Sequence, residues 1–111
     1  MSYRELKTWQ LAMDLAQQIY SVTNSFPKSE LYGMTSQMRR ASVSIPSNFA
    51  EGYARNHRAE YLQFIGIARG SLAELETLVI LSESIGYLDS AESHLLKCEM
   101  VAPTSQNYRS P

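Results

Sequence analysis

The 111-residue chain is sized for one domain and is nearly neutral, with ten Lys and Arg against eleven Asp and Glu and a formal net charge of −1. Five glycines and four prolines supply few turns, which favours a few long helices over many short strands. A single cysteine, Cys98, excludes an internal disulfide and a thiolate zinc cluster, and no apolar run approaches the roughly 18 residues of a membrane span.

The N-terminus lacks the basic-then-apolar pattern of a secretory signal, so a cytoplasmic protein is expected. From Arg4 to Asn24 the spacing predicts a helix with two apolar stripes. Leu6, Trp9, Met13, Ala16, Tyr20 and Thr23 alternate at three and four, a heptad seam assigned to the bundle core. Leu11, Leu15, Ile19 and Val22 form a second stripe, surplus to a single core and assigned to a subunit interface. Ser25-Phe26-Pro27 ends the helix, because proline disfavours helical geometry in the residue before it.

Ser29 is the expected N-cap of a second helix, with Glu30 suited to the positive end of the helix dipole. Leu31, Met34, Met38, Ala41, Ile45, Asn48 and Gly52 carry its periodicity towards Arg55. Pro46 lies inside it and predicts a kink between Ser42 and Pro46; Gly52 marks a weak point or a close backbone approach. Asn56 is the expected cap of a third helix, and Gly86 its left-handed terminator. Gly66 and Gly70, four apart in that helix, offer a neighbouring helix close contact. Asp89 and Glu92 resemble a capping box opening a last helix that ends before Pro103, with Ala102–Pro111 read as disordered. The reading is therefore all-α: an antiparallel up-down-up-down four-helix bundle over residues 1–101, with a Pro-kinked second helix, a short fourth helix and a tail over 102–111.

Charge is unevenly spread. Residues 39–69 hold five arginines (Arg39, Arg40, Arg55, Arg58 and Arg69) and two acids, whereas residues 74–99 hold six acids and only Lys97. Such a layout serves an anionic partner or self-association. Arginine supports phosphate binding and internal structure equally well, so both uses stay open for each of them. Glu51 and Arg55 are spaced for a helical ion pair, and of the adjacent Arg39 and Arg40 one can face solvent while the other reaches an acid across the bundle such as Glu74 or Glu76. Among nearby aromatics, Tyr53 is the stacking candidate, since Tyr61 and Phe64 fall on apolar seams. His94 and Cys98, four apart, are two ligands where zinc wants three or four. No phosphate-binding loop, nucleophile elbow, dinucleotide fingerprint or paired carboxylates appear, so neither cofactor nor catalysis is expected.

The stretch from Gln37 through Arg39-Arg40-Ala41-Ser42-Val43-Ser44-Ile45-Pro46-Ser47-Asn48-Phe49-Ala50-Glu51 to Gly52 resembles the 23S ribosomal RNA intervening-sequence protein family, also called the four helix bundle protein family. Leu6-Lys7-Thr8-Trp9-Gln10, Phe26-Pro27 with Glu30, and Ala68 to Thr77 support the resemblance over about residues 3 to 98. It implies a bundle that assembles into a ring-like homopentamer, with relatives encoded inside ribosomal RNA gene insertions and no catalytic activity. A distantly similar accessory factor of diversity-generating retroelements binds nucleic acid and a reverse transcriptase. The motif positions carried over are Arg39, Arg40, Ser44, Pro46, Asn48, Glu51, Gly52 and Arg55. Asn48 and Glu51 are read as fixing the bend, Arg40 as a buried partner, and Arg39, Arg55, Arg58 and Arg69 as the nucleic-acid contacts. The expected partners are further copies of the chain, RNA or DNA, or another protein; a membrane is not expected.

Overall fold

The computed structural model describes residues 2–108, which form four α-helices and two short 3-10 turns with no strand among the described residues. Helix α1 (Lys7–Thr23) packs on α2 (Met34–Tyr53) and α4 (Ser90–Tyr108), and α3 (Arg58–Ser84) packs on the same two helices. No contact joins α1 to α3 or α2 to α4 among the described residues, so the four helices occupy the corners of a bundle measuring 43 × 25 × 20 Å. No helix is long and apolar enough to cross a membrane.

The chain enters through a 3-10 turn, Tyr3–Glu5, closed by a capping box: the Arg4 amide donates to Ser2 Oγ at 3.2 Å and the Ser2 amide to Glu5 Oε1 at 3.0 Å. In α1 the second stripe, not the heptad stripe, supplies the centre of the core, although Ala16 and Thr23 of the heptad stripe are also buried. Leu15 and Ile19 have 0% of their surface exposed within a single protomer, beside Ala12 and Ala16, so neither is available to a second subunit. Leu11 is half-buried, and Val22 packs against the edge of the same core. The rest of the heptad stripe lies at the outer seam of α1 and α2, where Trp9 and Met13 are half-buried and Tyr20 is 44% exposed. The bundle has two neighbours for α1, and the narrower stripe points between them.

A second 3-10 turn, Lys28–Glu30, precedes α2, and Ser29 is not the cap. The Glu30 carboxylate takes that role by accepting the Met34 amide at 2.9 Å and the Tyr87 hydroxyl at 2.8 Å. A charged acceptor makes the stronger hydrogen bond. The Met34 amide, followed by the Tyr87 hydroxyl, holds Glu30 below the ordinary carboxylate range. Helix α2 then runs through Pro46 as one element of 20 residues, not as two helices split by a loop. Near the proline, the Ser42 hydroxyl donates to the Arg39 carbonyl at 2.8 Å and the Asn48 amide nitrogen to the Ser44 carbonyl at 2.7 Å.

His57, extended at φ −114 and ψ 137, replaces Asn56 as the boundary of α3, because the short Ala54–His57 connection places Asn56 inside the turn. Gly86 has φ +89 and ends α3 in the left-handed region, as its position suggests. The capping box of α4 is complete: the Glu92 amide donates to Asp89 Oδ1 at 2.8 Å and the Asp89 amide to Glu92 Oε1 at 3.1 Å. Ser93 on α4 holds the Glu83 carboxylate low, and Lys97 adds an ion pair at 3.5 Å. Helix α4 does not stop before Pro103 but continues to Tyr108; a proline removes one backbone donor and leaves the other helical bonds available. At 19 residues it spans roughly 28 Å, more than half the length of α3. The expected disorder of residues 109–111 lies outside the described residues.

The core runs along the bundle axis through Leu15, Ile19, Met38, Ile45, Leu75, Val79 and Leu96. Gly52 lets α2 and α3 meet closely: a Cβ there would stand 3.1 Å from Phe64 Cβ and 3.3 Å from the Tyr61 carbonyl. Gly66 and Gly70 face open space instead, so no neighbouring helix in the protomer uses them.

Candidate nucleic-acid and subunit surfaces

The adjacent arginines of α2 also exchange their expected roles. Arg39 is half-buried and closes the C-terminal end of α1. Its Nε donates to Thr23 Oγ1 at 2.9 Å, and one terminal nitrogen donates to Asn24 Oδ1 at 3.1 Å and to the Tyr20 carbonyl at 3.5 Å. The guanidinium also lies 4.7 Å over the Tyr20 ring. A cation is favourable where the last carbonyls of a helix lack partners, and these contacts leave Arg39 little capacity for phosphate. Arg40, read as a buried partner, is exposed and among the described residues hydrogen-bonds only Ser36 Oγ, at 3.3 Å, on its own helix. About 100° of helical rotation separates the two side chains, and the helix end lies on the side of Arg39.

Arg40 borders a small polar cleft with Gln37, Ser44, Ser71 and Glu74. There the Ser44 and Ser71 hydroxyls meet at 2.8 Å, tying α2 to α3. Asn48 also donates to Ser44 Oγ, at 3.0 Å, so it steadies the turn before the proline as expected. Glu51 takes no part in steadying that turn, being exposed and paired with Arg55 at 3.8 Å.

Arg55, Arg58 and Arg69 are exposed. Arg55 stacks 4.7 Å over the Phe64 ring, which orients its guanidinium without burying it. Arg58, in the first turn of α3, makes no hydrogen bond or ion pair among the described residues. Arg55 and Arg58 meet His57, Tyr53 and Tyr61 around a cleft of about 370 Å³ at the α2–α3 turn, whereas Arg69 lies further along α3. Tyr61 is half-buried against the core, so Tyr53 is the more open of the two rings.

One apolar groove among the described residues was not legible as such in the sequence. Tyr3, Trp9, Met13, Tyr20, Val43 and Ala50 line an open groove of about 520 Å³ along the α1–α2 seam, with Pro46 in its floor. The Tyr3 and Trp9 rings stand edge to face at 5.4 Å. Leu62, Ile67, Ile80 and Leu81 leave further apolar surface on the outer side of α3. At the other end of α1, Leu31 is half-exposed and lies outside α2, and Tyr32 is 92% exposed. The spacing reads Leu31 as the first position of the α2 seam, but the helix starts only at Met34, so Leu31 stays outside it and half-exposed.

Among the described residues no three His, Cys, Asp or Glu side chains converge on a possible metal position. The Cys98 side chain, half of the His94–Cys98 pair, lies outside the described residues.

A family model described as 23S rRNA-intervening sequence protein matches residues 4–104. The fold is similar to the crystal structure of a protein of unknown function from the S23 ribosomal protein family of Bacteroides thetaiotaomicron, with a TM-score of 0.80 and 18% identity. That alignment covers 89% of this chain and 93% of the other. No curated protein matches the chain.

Proposed function

The chain belongs to the 23S rRNA-intervening sequence protein family, and we propose that it is a non-enzymatic scaffold that assembles from several copies of itself and associates with RNA or DNA. The open α1–α2 groove carries this reading, since Trp9, Met13 and Tyr20 place aromatic and thioether surface where the described residues of one protomer cover it only in part. Contiguous apolar surface of this kind marks interaction sites. The outer side of α3 supplies a second, different apolar surface. Two unlike surfaces suit a head-to-tail ring, in which one patch of each subunit meets another patch of the next. The family resemblance supports five subunits.

Arg40, Arg55 and Arg58 remain exposed for phosphate, whereas Arg39 serves the fold. Mass in solution tests assembly: a multiple of 12.5 kDa, five for the ring, is expected, and a strict monomer at micromolar concentration refutes it. Binding of a single-stranded RNA across a salt series tests the second half. Three phosphate contacts per protomer should give a log–log slope of about −2, and no binding at low salt removes nucleic acid from the function.

The Leu31–Tyr32 projection favours a second reading, in which the assembly is an adaptor that recruits another protein. The Glu30 carboxylate next to Leu31, bonded to the Tyr87 hydroxyl at 2.8 Å, is unsuited to phosphate. Loss of a co-purifying protein on Tyr32→Ser would support the adaptor.

A further inference from the structure

The cleft at the α2–α3 turn has features that a general electrostatic surface does not require. Its volume of about 370 Å³ falls within the range of small-molecule sites. Arg55, His57 and Arg58 line it, and no carboxylate is among the lining residues. Glu51 is engaged with Arg55 at 3.8 Å, and the Phe64 ring beneath the guanidinium fixes its plane. Arg58 stands exposed beside the first turn of α3, where His57 supplies no side-chain cap to the backbone amides. Tyr53 and Tyr61 add aromatic surface, and the Asn56 side chain adds a donor and an acceptor. The backbone beneath is tightly set, because Gly52 approaches Phe64 and Tyr61 within contact distance.

We propose that this cleft binds a nucleoside 5′-monophosphate unit, either free or as the 5′-terminal nucleotide of a single strand. The phosphate lies between the Arg55 and Arg58 guanidinium groups, and the base stacks on Tyr53 with its edge towards Asn56. Guanidinium suits the planar, bidentate recognition of phosphate oxygens, and a tyrosine ring accepts any base face. The strand-end form rests on the nucleic-acid reading above, whereas the free-nucleotide form does not.

Calorimetric titration of the full chain with uridine 5′-monophosphate, uridine and inorganic phosphate tests the cleft. The monophosphate should bind about tenfold more tightly than either fragment, and Arg58→Ala should weaken it about tenfold. Circular dichroism should show unchanged helicity, since Arg58 is exposed and makes no hydrogen bond or ion pair among the described residues. A ten-nucleotide RNA that binds more tightly with a 5′-phosphate than with a 5′-hydroxyl identifies the strand end; equal affinities identify the free nucleotide. Inorganic phosphate binding as tightly as the monophosphate, or Arg58→Ala leaving affinity unchanged, overturns the proposal. If long RNA binds with the expected salt slope while the monophosphate does not, the cleft fails and the scaffold reading survives. If neither binds, both fail.

Discussion

Two faces of α1 carry similar apolar side chains to opposite fates. Leu15 and Ile19 disappear completely between neighbouring helices, while Trp9, Met13 and Tyr20, in the more regular heptad pattern, line an open groove. Periodicity therefore identifies a face that seeks cover, but it does not say whether that cover comes from the same chain. In the proposed assembly the part of Trp9, Met13 and Tyr20 that the protomer leaves open serves what the protomer can join.

The comparison breaks most visibly at Leu15. Leu15→Ala should cost about 2–5 kcal/mol, measured by chemical denaturation, because a fully buried leucine leaves a cavity. A loss below about 1 kcal/mol would mean that the inner face is not the core. Arg39→Ala should follow at about 2 kcal/mol, since it opens the end of α1 and strips Thr23 of a charged donor. Arg40→Ala, one residue away and exposed, should stay within about 0.5 kcal/mol by the same measurement. Met13→Glu should act differently, lowering the mass in solution by subunit dissociation while costing the protomer only about 1 kcal/mol. Unchanged mass with a large fall in melting temperature would return the groove to the core.

The smallest effect concerns the far end of α1 and its connection to α2. Glu30 is held below the ordinary carboxylate range, so its bonds to Met34 and Tyr87 contribute above that range and are lost as pH falls through the depressed value. Melting temperature should therefore decline on acidification, and Glu30→Gln should flatten that decline. An identical acid profile in the variant would show that other carboxylates set it.

Local features of the fold were legible where a few neighbouring residues decide the outcome. The Asp89–Glu92 box and left-handed Gly86 depend on side chains and backbone within four positions, and both appear as read. Gly52 was legible as a close approach, although Phe64 and Tyr61 as the approaching groups were not. The two stripes of α1 and the pair Arg39 and Arg40 were misassigned for one shared reason. Their roles depend on where a distant element lies around the helix, and each reading fitted the spacing equally well. Glu30 displaced Ser29 because a longer, charged side chain could reach both the Met34 amide and Tyr87. The cleft at the α2–α3 turn was half legible: its arginines and Tyr53 were read as candidates, but their convergence with His57 and Asn56 required the turn itself.

That turn also bears on the order in which the chain folds. Only Ala54–His57 separates α2 from α3, and these two helices share the largest interface of the bundle. Closing so short a loop costs little entropy, so the α2–α3 hairpin should form early, with α1 and α4 docking onto it. Gly52→Ala, which crowds Phe64 and the Tyr61 carbonyl, should then slow refolding in stopped-flow measurements. Leu96→Ala, which empties a buried site on α4, should chiefly accelerate unfolding and leave the refolding rate nearly unchanged. The protomer would thus reach its final shape from the middle of its sequence outward, and the α1–α2 groove would exist only once α1 had arrived.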